Sequence, residues 1–135
     1  MSVFERFLSD DQTLFRGDVL YSRASTFRLV MQGSDGNAVL EFADDLNIPD
    51  GNIDRDHTAY FPIWATGTNG QNADRFVMQG DGNLVVYTFD NQPIWASNTN
   101  GNEGARLLCQ TDGNLVIYNS ENNPIWASGT NARGG

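Results

Sequence analysis

The chain has 135 residues, 17 acidic against 8 basic side chains and a formal net charge of −9, which is enough for one domain burying about two thirds of its unfolded surface. With a pI near 4.2 it has no basic patch to neutralise phosphates, so nucleic acid and anionic membrane surfaces are excluded and a neutral ligand fits better. Its single cysteine, Cys109, excludes an intrachain disulfide.

Met1–Leu8 carries Glu5 and Arg6 and no apolar run, so it does not read as a secretory signal, and synthesis in the cytosol is expected, with non-classical release left open. No stretch approaches the roughly 18 apolar residues of a membrane span, so no membrane insertion is expected. Leu14-Phe15-Arg16-Gly17-Asp18-Val19-Leu20-Tyr21-Ser22 is read as a first strand bent at its glycine.

Next comes Arg28-Leu29-Val30-Met31-Gln32, whose pattern returns as Arg75-Phe76-Val77-Met78-Gln79 and Arg106-Leu107-Leu108-Cys109-Gln110. Cys109 thereby takes the slot of Met31 and Met78 and is expected to be a small buried hydrophobe. A second marker, Pro62-Ile63-Trp64-Ala65-Thr66-Gly67-Thr68-Asn69, recurs at Pro93–Asn100 and Pro124–Asn131, with Trp64, Trp95 and Trp126 spaced 31 apart. The chain therefore holds three repeats. Short alternating runs punctuated by Asn, Gly, Asp and Pro, with no helical period, read as all-β. One repeat has room for three or four strands but cannot hide its own apolar face. Three sheets meeting on their tryptophans can.

The chemistry concentrates between these markers. Gln79-Gly80-Asp81-Gly82-Asn83-Leu84-Val85-Val86-Tyr87 alternates polar and apolar positions, as a strand does, and its Asp-Gly pair is a hairpin signal. Folding it back groups Gln79, Asp81 and Asn83 on one face, with Tyr87 reaching in over Val85. The pattern repeats without departure at Gln110, Asp112, Asn114, Val116 and Tyr118. Carboxylate, amide and phenol hydroxyl together can accept from and donate to the hydroxyls of a neutral sugar.

The first repeat departs: Gln32, Asp35, Asn37 and Val39 are in place, but one extra residue separates Gln32 from Asp35, and Glu41 stands where tyrosine belongs. The insertion is expected to displace Gln32 from Asp35, and Glu41 to add charge where a phenol hydroxyl is needed, leaving this site weak or dead. Residues from about Asp44 to Ala59 form an additional acidic stretch within the single 1–135 domain, read as a surface loop.

Gln-x-Asp-x-Asn-x-Val-x-Tyr resembles the mannose-binding motif of the monocot bulb-type (snowdrop-agglutinin-like, B-type) lectins, and the likeness spans roughly Leu14 to Asn131. It implies a β-prism II of three four-stranded antiparallel sheets with pseudo-threefold symmetry, and mannose or oligomannose glycans as partners, with no cofactor and no metal. It further implies that Asp81 and Asn83 hold the axial 2-hydroxyl, Gln79 the 3-hydroxyl and Tyr87 the 4-hydroxyl, while Val85 packs on the ring. The corresponding five residues of the third repeat would do the same. With each motif hairpin taken as preceded by its strand, Ile125–Thr130 is left over. It is expected either to close on the N-terminal strand or, as dimeric bulb lectins suggest, to be exchanged in a homodimer.

Three other readings compete. Calcium could be held by the turns or by Asp44, Asp45, Asp50, Asp54 and Asp56, but each turn supplies one carboxylate where a calcium loop needs a spaced set. An enzyme would have to rest on His57, the sole histidine, which has no repeated partner. A β-prism that binds proteins and no sugar is the main alternative.

Overall fold

The computed structural model describes residues 1–43, 54–55 and 58–131. The acidic insert expected at 44–59 lies mostly outside the described residues, as do Asp44, Asp45, Asp50, Asp56 and His57. Among the described residues no helix is long and apolar enough to cross a membrane.

Among the described residues the architecture is all-β, apart from one 3₁₀ turn at Arg23–Ser25. Each repeat forms an antiparallel hairpin followed by the strand that carries its tryptophan. In the first sheet the hairpin is β5 (Phe27–Met31) with β6 (Ala38–Ala43), then β7 (Tyr60–Ala65). In the second it is β8 (Ala73–Met78) with β9 (Leu84–Thr88), then β10 (Pro93–Ala96). The third uses β11 (Arg106–Cys109), β12 (Leu115–Tyr118) and β13 (Pro124–Ala127).

The fourth strand of every sheet comes from the N-terminal segment, in reverse order. β2 (Phe7–Leu8) pairs with β11, β3 (Thr13–Phe15) with β8, and β4 (Val19–Tyr21) with β5. The first sheet also gains β1 (Val3–Glu5), laid parallel to β4. The expected opening strand is thus two strands in two different sheets, and Gly17 (φ 92°) makes the bend between them.

The final strand is not surplus, which corrects the expected phase of the repeat. β13 pairs with β12 of its own chain, with Ile117 opposite Trp126, because each Trp strand follows its hairpin and does not precede it. The strand stays antiparallel and adjacent through the five-residue connection Asn119–Asn123, where Asn122 takes φ 66°.

Every Trp strand carries a bulge at the same place. Pro93 faces Tyr87 while Trp95 faces Val86, so Ile94 is the extra residue; Ile63 and Ile125 are its counterparts. In a regular strand, neighbouring side chains point to opposite faces. The bulge relaxes that rule, and in all three repeats the adjacent Ile and Trp both pack against the core.

That core is shared by the three sheets. Leu8, Leu14 and Leu20, one per sheet, are fully buried alongside Leu29, Phe76, Leu107, Met31 and Met78. Cys109 is buried among them, in the role the sequence implies. Trp64, Trp95 and Trp126 meet edge to face with ring centroids 5.6–5.8 Å apart, the favoured geometry of aromatic pairs.

Candidate functional site

Gln79 through Asn83 closes the β8–β9 hairpin. The Gly82 N–H donates to the Gln79 carbonyl (3.0 Å) and the Gln79 N–H to the Asn83 carbonyl (2.9 Å), a three-residue loop whose last member must be left-handed. Gly82 supplies φ 94°, and a Cβ there would overlap the Asn102 carbonyl. The third repeat reproduces the turn from Gln110 to Asn114, with Gly113 at φ 91°. In the first, the inserted residue widens the loop by one: the Gly36 N–H reaches the Gln32 carbonyl at 3.1 Å while the Gln32 N–H still donates to the Asn37 carbonyl.

Within each loop the acidic side chain folds back on its own backbone, a feature of Asx turns. The Asn83, Asn114 and Asn37 N–H groups donate to Oδ1 of Asp81, Asp112 and Asp35 at 2.9–3.0 Å. Around this anchor the motif side chains line up. The Gln79 amide lies against the Tyr87 hydroxyl. Gln110, with its amide oriented to satisfy both neighbours, donates to Asp112 at 3.1 Å and accepts from the Tyr118 hydroxyl at 2.5 Å. Gln, Asp and Tyr thus form one hydrogen-bonded row in the third repeat, and in the second the same three residues line one concavity, with Gln79 on Tyr87.

Asn83 and Asn114 are part of the frame as well as the motif. Asn114 Oδ1 accepts from the Ser128 hydroxyl and from the Gly129 and Thr130 N–H groups at 3.0–3.3 Å. Asn83 Oδ1 accepts from Ser97 and Thr99, and Asn37 Oδ1 from Thr66, Gly67 and Thr68. The Thr99, Thr130 and Thr68 hydroxyls meanwhile cap the Gly82, Gly113 and Gly36 carbonyls. This clamp from the strand after the hairpin is the functional element that motif reading overlooks. Its signal is the Ser/Thr-x-Thr that trails every Trp at the 31-residue spacing. Each asparagine keeps its Nδ2 group outside any hydrogen bond among the described residues, available as a donor.

Val85 and Val116 lie beneath the row, only 2 % and 4 % exposed, so the apolar surface they offer to a ligand is small. The concavities are lined instead by Gln79, Asp81 and Tyr87, about 670 Å³, and by Gln110, Asp112 and Tyr118, about 430 Å³, sizes ordinary for small-ligand clefts. An arginine on the preceding strand lies over each tyrosine ring: Arg75 is 4.8 Å from the Tyr87 centroid and Arg106 5.7 Å from that of Tyr118.

In the first repeat Arg28 instead pairs with Glu41 at 2.7 Å and stacks 3.8 Å over Tyr60. The expected separation of Gln32 from Asp35 does not occur. The Gln32 amide donates to the Asp35 carboxylate at 3.0 Å, because the widened loop absorbs the extra residue ahead of the Asx turn. Among the described residues no three His, Cys, Asp or Glu side chains are grouped to hold a metal.

No family model matches the chain. Among solved structures it is similar to a lectin of Marasmius oreades, with 28 % identity over 96 % of this chain and 98 % of that one and a TM-score of 0.75. It is also similar to a monomeric monocot mannose-binding lectin from Gastrodia elata (37 %, 94 % and 99 % coverage, TM-score 0.70). The mannose-specific snowdrop (Galanthus nivalis) agglutinin, solved with methyl α-D-mannoside, is 38 % identical over 93 % of this chain and 96 % of its own, with a TM-score of 0.64. A B-type lectin, plumieribetin, from Scorpaena plumieri is 33 % identical over 86 residues. That stretch is 64 % of this chain, and it spans 60 % of the length of that relative.

Proposed function

The chain belongs to the bulb-type (B-type) lectins, a family of non-enzymatic carbohydrate-binding proteins, and from that premise we propose that it binds mannose or mannose-containing glycans at the Gln79–Tyr87 and Gln110–Tyr118 sites. The observation that carries the proposal is the repeated polar grouping of Gln, Asp and Tyr, fixed by one Asx turn and one Ser/Thr-x-Thr clamp in each site. Hydrogen bonds to sugar hydroxyls need donors and acceptors held in place, since an adaptable side chain gives up its ordering entropy on binding.

In this reading Asp81 with Asn83, and Asp112 with Asn114, take the axial 2-hydroxyl, the asparagine contributing its free Nδ2. Gln79 and Gln110 take the 3-hydroxyl, and Tyr87 and Tyr118 the 4-hydroxyl. Val85 and Val116 support the ring from below. The site of Gln32, Asp35, Asn37 and Val39 is weak or dead because Glu41 offers no phenol and is held by Arg28. Four hydrogen bonds netting about 0.5–1.5 kcal/mol each imply dissociation constants near the millimolar range. Avidity on a glycan-dense surface would then come from linked sites.

Isothermal titration with methyl α-mannoside, with methyl α-glucoside as control, tests the reading. Two equivalents of mannoside and no glucoside binding are expected. Silence with both sugars would move the function to a protein partner. Exchange of β13 between two copies, the expected homodimer, would remake the β12–β13 pairing across chains. Sedimentation equilibrium distinguishes that dimer from a 14.9 kDa monomer.

A further inference from the structure

The two intact sites carry the same motif but different charged surroundings, and the difference comes from one segment. As residues 6–15 pass from the third sheet to the second, they leave Arg6 at the Gln110–Tyr118 concavity and Asp11 at the Gln79–Tyr87 concavity. Asp11 is fixed there, its Oδ1 accepting from the Gly80 N–H at 2.7 Å. Arg23, from the 3₁₀ turn, joins Arg6. The charged groups lining the third-repeat concavity are Arg6, Arg23 and Asp112. Those lining the second-repeat concavity are Asp11, Asp81 and Arg75.

The arginines also differ in occupation. Arg75 is engaged by Asp74 at 3.0 Å and by Asn91 at 2.7 Å. The Arg6 and Arg23 guanidinium groups make no hydrogen bond or ion pair among the described residues, although the chain as a whole carries a charge of −9 and has carboxylates to spare. Two guanidiniums lining one sugar-type cleft, neither engaged among the described residues, suit an anion, since the planar fork accepts phosphate, sulfate or carboxylate oxygens.

We propose that the Gln110–Tyr118 site selects a sugar bearing an anionic substituent, a phosphomannosyl group being the simplest, through Arg6 and Arg23, whereas the Gln79–Tyr87 site, fringed by Asp11, takes neutral sugar only. The inference rests on the mannose-binding reading and deepens it. Arg6 and Arg23 contribute a charged edge outside the Gln-Asp-Tyr row, so they set specificity without being needed for the neutral ligand.

Amide NMR titration separates the two sites, because Gln110–Asn114 and Gln79–Asn83 report independently. Methyl α-mannoside, mannose 6-phosphate, α-mannose 1-phosphate and inorganic phosphate would each be titrated at low and high salt. At least one phosphorylated sugar is expected to bind the third-repeat site about five- to tenfold tighter than methyl α-mannoside, as two exposed ion pairs allow, with the gain shrinking at high salt. At the second-repeat site it should bind no better than the neutral sugar. The Arg6→Gln/Arg23→Gln variant should abolish the gain and leave methyl α-mannoside affinity unchanged at both sites. Equal affinity of charged and neutral sugars at the third-repeat site overturns the inference while leaving the mannose reading intact. So does an unchanged gain in the double variant, or inorganic phosphate matching the phosphorylated sugars. Failure of all the sugars to bind would overturn the mannose reading together with the inference.

Discussion

Asn83 and Asn114 do two jobs with one amide. Their oxygen joins hairpin to clamp, and their nitrogen is left for a ligand. Alanine at Asn83 should therefore cost about 1–3 kcal/mol of stability by stranding the Ser97 and Thr99 donors, and should weaken only the second-repeat site. Urea denaturation and NMR titration measure the two effects separately. Asp81→Ala with Asp112→Ala gives up one backbone hydrogen bond per site, and is expected to abolish mannoside binding at a smaller cost of about 0.5–1.5 kcal/mol per turn. Gln, Asp and Tyr were legible in the sequence because their residue types announce hydroxyl chemistry. The framing role of asparagine was not, because the groups that satisfy its oxygen lie on a different strand and follow it by 14 to 16 positions. Burial pushes the Cys109 thiol well above its ordinary value, so disulfide-exchange reagents should label it only after unfolding.

At the level of strands and hairpins, the proposed weakness of the first-repeat site can be traced to a single position. Its turn, Asx bond and clamp all survive the insertion, and Gln32 still reaches Asp35, so in the proposed reading the loss falls on Glu41. Glu41→Tyr should raise the mannoside stoichiometry measured by titration from two to three. A value that stays at two would place the defect in the widened loop. The hairpins themselves were readable from Asp-Gly and the alternating pattern. The bulge was not: Pro-Ile-Trp reads as an ordinary strand, and only pairing with the neighbour reveals that Ile63, Ile94 and Ile125 stand outside the regular register. Deleting Ile94 would restore strict alternation with Trp95 still opposite the core residue Val86, so the contact of Trp95 with Trp64 and Trp126 should survive and only the packing of the isoleucine should be lost. Near-UV circular dichroism should then keep the tryptophan signal of the three edge-to-face indoles while urea denaturation reports the lost packing.

Across the whole molecule, the 31-residue period made three sheets and a tryptophan centre visible before any coordinates. Strands of two or three residues such as Phe7–Leu8 and Thr13–Phe15 are too short to show periodicity, so the encircling N-terminal segment stayed hidden and the phase of the repeat was misread. Trp95→Ala should cost up to about 3–5 kcal/mol, at the lower end because its ring is only partly buried. Tyr60, whose hydroxyl donates to the Ser25 carbonyl at 2.7 Å, ties the first sheet to the 3₁₀ turn. Burial foremost, with nearby Tyr21 adding to it against Arg28 and Arg55, pushes its pKa from 10.0 to about 12. A folded-state value above the unfolded one means that the stabilising contribution is intact below pH 10 and is lost as the pH climbs from there through 12. Urea midpoints should fall over that window, and fall less in Tyr60→Phe.

The reversed order in which the N-terminal segment visits the sheets also dictates a timetable. Leu8 is synthesised roughly a hundred residues ahead of its strand partner Leu107, a long loop to close. Until then Phe7 and Leu8 have no sheet to join, although Leu14 already has Phe76 as its partner, and the unpaired segment is an opening for strand addition by other chains. Maturation of this domain is thus a wait followed by a wrap: the segment around Phe7–Leu8 is made before its partner and is the last to be installed, where it closes the third sheet.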